Sequence, residues 1–184
     1  MESGHRWERL FADLEAQVAA EELRERDLEI ADRTRRERAL TTLGGRLAAH
    51  RGELVDLHLV AGIRVHGRLI DIGADWLALA PTPHRAVLVP LSAVVGVGGL
   101  GPRTFEGGSA RRFALGSALR EISRDRRRVQ VLDTAGKATE GTIDVVGADF
   151  VDLAEHPRDE ARRGDNVRAA RTIPFAAIAC VHSE

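Results

Sequence analysis

The stretch Gly67-Arg-Leu-Ile-Asp-Ile-Gly-Ala-Asp-Trp-Leu-Ala-Leu-Ala80 lies without a gap over Gly141-Thr-Ile-Asp-Val-Val-Gly-Ala-Asp-Phe-Val-Asp-Leu-Ala154. Gly67, Gly73, Ala74, Asp75, Leu79 and Ala80 recur unchanged as Gly141, Gly147, Ala148, Asp149, Leu153 and Ala154. Trp76 becomes Phe150, Leu69 becomes Ile143, Ile72 becomes Val146 and Leu77 becomes Val151. Matching order and spacing over such a length marks an internal duplication, so one structural unit is used twice.

The match extends outward on both sides. Upstream, Ala61-Gly62 falls on Ala135-Gly136, and Val55 and Leu57 fall on Val129 and Val131. Downstream, Val89-Pro-Leu-Ser-Ala-Val94 falls on Ile173-Pro-Phe-Ala-Ala-Ile178 after an insertion in the second copy. Further upstream, Leu43-Gly-Gly-Arg-Leu47 resembles Leu115-Gly-Ser-Ala-Leu119. Each unit therefore reads as a short helix, strands, a Gly-Ala-Asp turn, further strands and a Pro-led strand.

The strand period is two. Val55, Leu57 and Leu59 alternate with Asp56 and His58, and Ile63 and Val65 alternate with Arg64 and His66. Val60-Ala61-Gly62 suits a hairpin with Gly62 in the left-handed region, and Gly136 repeats it. Gly67 and Gly141 stand mid-strand, where a glycine permits the sharp bend of a small closed barrel. Gly73 and Gly147 open tight turns, in which Asp75 and Asp149 are expected to accept backbone amide bonds locally.

The pattern Leu57-His-Leu-Val-Ala-Gly62, Gly67-Arg-Leu, Gly73-Ala-Asp75-Trp-Leu-Ala-Leu79 and Val89-Pro-Leu-Ser-Ala-Val94 resembles the Sm-like (LSm) family, over roughly Leu43–Leu100 and Phe113–Glu184. The resemblance implies a mainly β fold with helices: two tandem Sm-like or SH3-like five-stranded small barrels, each preceded by a short helix. It also implies assembly by strand pairing between barrels, with RNA as a partner of many members. The family's RNA-pocket motifs are lacking. Ala78 and Asp152 stand at the pocket asparagine position, and no Arg-Gly or basic motif precedes Val89-Pro90 or Ile173-Pro174.

Outside the repeat, residues 3 to about 42 read as a long charged helix capped by Ser3. Trp7, Leu10, Phe11, Leu14 and Val18 form one apolar stripe suited to self-association. Acid-first pairs such as Glu22/Arg26, Glu29/Arg33 and Asp32/Arg36 support its second half. The domain reading is residues 1–42 for this helix, 43–100 for the first barrel, 101–112 for a Gly-rich linker, and 113–184 for a helix with the second barrel. Arg111, Arg112, Arg120, Arg124, Arg126, Arg127 and Arg128 form the most basic segment and are the candidate contacts for nucleic acid. Residues 155–168, the insertion, read as an exposed loop.

Composition narrows the function. Net charge is −1 with 27 basic and 28 acidic residues, so no global field draws nucleic acid or membrane. Aromatics are 4% of the chain, which leaves a core of Val, Leu, Ile and Ala. Cys180 is the single cysteine, which excludes an intrachain disulfide and points to a reducing, cytoplasmic setting. No signal peptide or membrane span is expected. The seven histidines are scattered; His58 and His66 share an expected face without a metal-ligand set beside them. No catalytic motif, metal site, cofactor or small-molecule substrate is read. The expectation is a non-enzymatic module for protein–protein interaction or self-association, a homo-oligomer or the ligand of a protein partner. The alternative is an RNA- or DNA-binding regulator acting through the arginines of 111–128.

Overall fold

A computed structural model describes residues 2–105, 113–156 and 169–183. The chain divides into two compact units, Met1–Thr41 and Thr42–Glu184. The first is helix α1, Glu2–Leu40. It begins at Glu2, so Ser3 lies inside it rather than capping it. Trp7, Leu10, Phe11, Leu14 and Val18 fall on this helix, with side chains outside the described part. Asp32 and Arg36 pair at 2.5 Å, with both side chains exposed.

The second unit holds helix α2 (Leu43–Ala49), strands β1 (Leu54–Leu59), β2 (Arg64–Ile72), β3 (Trp76–Thr82), β4 (Arg85–Pro90) and β5 (Val94–Gly98), then helix α3 (Leu115–Arg124) and strands β6 (Arg128–Asp133), β7 (Ala138–Val146), β8 (Phe150–Glu155), β9 (Ala169–Pro174) and β10 (Ile178–Ser183). All ten strands join one sheet in the order β5-β1-β2-β3-β4-β10-β6-β7-β8-β9. Every neighbouring pair is antiparallel. The expectation of two separate, closed five-stranded barrels is thus corrected to one continuous open sheet. The cause is the pairing of β4 with β10, which places Leu88 opposite Val181 and Ala86 opposite Ser183. A five-stranded unit left alone would expose unpaired backbone groups along β4; joining the units satisfies them.

The duplication survives in this single sheet. The first five strands run β5-β1-β2-β3-β4, and the second five repeat that order as β10-β6-β7-β8-β9. Val55 faces Gly67 in β1–β2, and Val129 faces Gly141 in β6–β7. The irregularity between Leu69 and Asp71 recurs between Ile143 and Val145. Gly73 N–H donates to the Trp76 carbonyl at 2.8 Å, as Gly147 does to Phe150. Gly67 and Gly141 sit inside strands because the next strand comes too close for a side chain. A Cβ would meet the Ala80 carbonyl oxygen at 2.8 Å in the first case and would run into the Ala154 carbonyl oxygen in the second.

Two apolar clusters fill the fold, and they share strands. One gathers Leu47 with Val55, Leu57, Leu69, Leu77 and Leu79. The other gathers Leu115 and Leu119 of α3 with Val129, Val131, Ile143 and Leu153. Leu77 and Leu79 of β3 enter the first cluster, while Trp76 and Ala78 of the same strand enter the second. Cys180 of β10 crosses the other way, into the first cluster. Residues alternate between faces in a strand, so a strand buried on both sides reads as a continuous apolar run.

Candidate functional site

Helix α3 forms one wall of a cleft in the second unit. Its N-terminus is held by the first copy rather than by its own segment. Ala114 at the cap offers no side-chain bond, and the Asp75 carboxylate accepts the Leu115 N–H at 2.7 Å. The Trp76 indole N–H donates to the Phe113 carbonyl at 2.9 Å. Asp75 therefore does not serve its own turn, as expected from sequence; it caps a helix forty residues on. Asp149 stands at the repeated position, and its carbonyl accepts from Phe175 N–H just as that of Asp75 accepts from Leu91 N–H.

The cleft measures about 630 Å³ and has an apolar floor of Trp76, Ala78, Leu88, Phe113, Ala118 and Ile122. Arg120, Arg124 and Arg127 line it, so three of the basic residues singled out from sequence come together. Asp71, Glu121 and Asp125 line it too, and the charges balance. Arg124 pairs with Glu121 at 3.0 Å and Arg127 with Asp125 at 3.1 Å. Arg120 donates to the Gly147 carbonyl at 3.2 Å. A cleft of this make-up lacks the excess positive charge that drives phosphate-backbone binding. Arg126 occupies the corner before β6 with φ 49°, and Arg128 opens β6. Arg111 and Arg112 lie outside the described residues.

Two further features are the terminal strands of the sheet, β5 and β9. Val95 of β5 is 71% exposed. Along β9, Ala169 to Thr172 are exposed and only Ile173 is buried. Arg171 pairs with Glu155 at 2.5 Å, and Thr172 donates to Asp152 at 2.6 Å. The turn glycines behave as the sequence indicates at two places, Gly62 with φ 70° and Gly136 with φ 81°.

The Gly-rich segment after β5 is docked as far as Phe105. His50, fully buried, donates from Nδ1 to the Arg46 carbonyl at 2.6 Å and accepts at Nε2 from Gly101 N–H at 2.8 Å. Arg46 donates to the Leu100 and Gly101 carbonyls. Residues 106–112 lie outside the described part, as does 157–168 of the insertion.

Among the described residues no three His, Cys, Asp or Glu side chains gather as a metal site. His66 donates to Asp56 at 2.6 Å across β1 and β2. Burial pushes the Cys180 thiol up to about 11, which keeps it protonated and unreactive at neutral pH. His182 is held below the ordinary imidazole value, first by burial and then by the Arg85 guanidinium. Sequence reasoning missed Arg85, His156, His182 and Ser183, which line one pocket; Arg85 reaches the other three only because β4 pairs with β10. No described helix is long and apolar enough to cross a membrane. Compared with known proteins, the chain matches no family model and no curated sequence.

Proposed function

We propose that this chain is a non-enzymatic assembly module that forms homo-oligomers by pairing strand β9 of one copy with strand β5 of the next. One observation carries the reading: the same two kinds of edge already pair inside the molecule. β4 and β10 form the internal joint, and by the repeat β9 is the counterpart of β4 and β5 the counterpart of β10. Each terminal strand therefore presents the edge that the other kind accepts. Carried across by the repeat, the internal register places Val97 opposite Thr172, Gly98 opposite Arg171 and Gly99 opposite Ala170.

Burial supports this. Val95 is 71% exposed, whereas Ala179, its counterpart on β10 by the repeat, is fully buried. Unpaired strand edges are templates for another chain, and scarce aromatics leave each unit a modest core. The contact is head-to-tail, so assembly closes into a ring or runs on as a filament according to the angle at each joint. Kinship with Sm-like proteins belongs to this proposal on the sequence pattern given above. A reducing, cytoplasmic setting belongs to it as well, since the lone cysteine is buried.

Light scattering on the full chain tests the reading. The expected mass is well above that of the protomer, a defined multiple if the ring closes, and Val95→Arg lowers it. Hydrogen exchange should show protected amides in β5 and β9 of the oligomer, and loss of that protection in the variant. A protomer mass up to high micromolar concentration, or an oligomer in which both strands exchange freely, would overturn it.

A further inference from the structure

A row of side chains crosses β2 and β1 and stops at the open edge of β5. Asp56 faces His66, and the two join at 2.6 Å with both side chains exposed. On its other side Asp56 faces Gly98 of β5. A Cβ built on Gly98 would stand 3.4 Å from the Asp56 Cβ and 4.0 Å from its Oδ2. The carboxylate therefore overlies the place where a neighbouring side chain would begin, and glycine leaves that place open. At the other terminal strand, Arg171 of β9 faces Leu153 and donates from Nε to Glu155 at 2.5 Å. A guanidinium carries several donors and a carboxylate accepts at both oxygens, so Asp56 and Arg171 can each take a further partner beside the one they have.

The repeat brings these two ends into one row. At the internal joint, Gln130, His182 and Val87 lie side by side on β6, β10 and β4. Asp56, Gly98 and Arg171 hold the same positions on β1, β5 and β9. Directly opposite residues of paired strands share a face. In the joint between copies, Arg171 of one chain thus lies beyond Gly98 of the next, on the face that Asp56 occupies. Their backbones are two strand spacings apart, roughly 10 Å. A long arginine side chain reaching over a glycine toward a carboxylate closes that span. The internal row is built differently: the Gln130 amide donates to Glu140, and Val87 is fully buried. An acid and a base replace Gln130 and Val87 only where the joint would form between separate chains.

We propose that an ion pair from Arg171 of one copy to Asp56 of the next, across Gly98, keys this joint, so that the open edges select a second copy of this chain in one register. The inference rests on the strand-edge assembly proposed above and adds the side chains that choose the partner. Backbone edges are alike in every strand and carry no choice of partner. Charges do, by matching the right neighbour and repelling wrong ones. Two β9 edges both bring the arginine, and two β5 edges both bring the acid, so only the unlike joint matches charge. His66 and Glu155 lengthen the row into a network, in which an ion pair contributes more than an isolated surface pair does.

The test reverses one charge at a time in the full chain. Asp56→Arg alone sets arginine against Arg171 at every joint, and Arg171→Asp alone sets acid against Asp56. Each variant should associate about tenfold or more weakly than the unsubstituted chain, because like charges face each other. An equal mixture of the two variants matches the charges again at every joint between unlike chains. Light scattering should then show association well above that of either variant alone, with the two chains alternating. If the unsubstituted chain assembles with β5 and β9 protected, yet the mixture associates no more tightly than its parts, the ion pair is overturned while strand pairing stands. Unchanged association in either variant alone overturns it too. A chain that remains a protomer sinks the assembly reading and the ion pair with it. If a reversed variant loses the native circular dichroism spectrum, Asp56→Asn and Arg171→Gln take its place. The neutral double variant should then associate no more weakly than the weaker single one, and losses that simply add overturn the proposal.

Discussion

The two copies share their backbone and differ in what they carry on it. In β1–β2 the facing pair Asp56 and His66 joins at 2.6 Å on the surface. In β6–β7 the same pair is Gln130 and Glu140, joined at 3.0 Å beside a pocket. Strand β4, paired with β10 inside the sheet, is largely buried, whereas its counterpart β9 is largely exposed. What the copies hold in common are glycines, turn contacts and apolar positions, the things a strand order needs. What they do not share is polar chemistry, which follows each copy's neighbours. A duplicated unit thus gains distinct surfaces without new architecture.

The strongest way to break this equivalence is at the shared strand glycines. Gly141→Ala drives a Cβ onto the Ala154 carbonyl, while Gly67→Ala meets the Ala80 carbonyl less closely, at 2.8 Å. Urea unfolding should show a loss of about 3 kcal/mol or more for Gly141→Ala and a smaller loss for Gly67→Ala, in the range seen for overpacked cores. Equal and negligible effects would mean the strands can part without penalty. The aspartates form the next test. Asp75→Ala removes the cap of α3 and should cost about 1–2 kcal/mol, against about 0.5 kcal/mol or less for Asp149→Ala. The same unfolding curves decide it, and a reversal of that order would deny Asp75 its link between the copies.

A smaller effect separates the copies by pH. His182 has its folded pKa lowered below the ordinary value of 6.5, whereas Gly98 holds its place in the first copy. The unfolded chain therefore binds the proton more readily, and this stability is full above about pH 6.5 and lost as pH falls through the folded value. His182→Gln should flatten that acid limb in thermal melts. Cys180 works at the other end. Its folded pKa is raised from 9.0 to about 11, so its contribution is full below pH 9 and lost as pH rises toward 11. The least effect is expected from Asp32→Ala on α1, since an exposed pair contributes about 0–1 kcal/mol. Helicity by circular dichroism should barely change.

Much of the fold was legible where local rules decide it. The alternation Val55, Leu57, Leu59 placed β1, and Ala61-Gly62 placed a turn whose glycine takes positive φ. The duplication told that β6 to β10 would follow β1 to β5 in kind. It could not tell that β4 and β10 would join, because edge pairing depends on backbone groups that every strand carries alike. For the same reason Arg85 and His182, ninety-seven positions apart, gave no sign of meeting. The Trp76–Ala78 face was read as part of one barrel's strand; it is buried by α3 and the second copy instead. Arg120, Arg124 and Arg127 were legible as a basic run, but their carboxylate neighbours decide the cleft's charge.

The place of β10 sets a timetable for folding. It comes last of these ten strands in sequence order, yet it occupies the middle of the sheet and sends Cys180 into the core of the earlier copy. Until it emerges, the first five strands wait with β4 uncovered and that core lacking one of its members. A nascent chain of this kind is exposed to premature pairing with its neighbours on the same message, and completing the sheet requires a contact between distant parts of the sequence, which is slow.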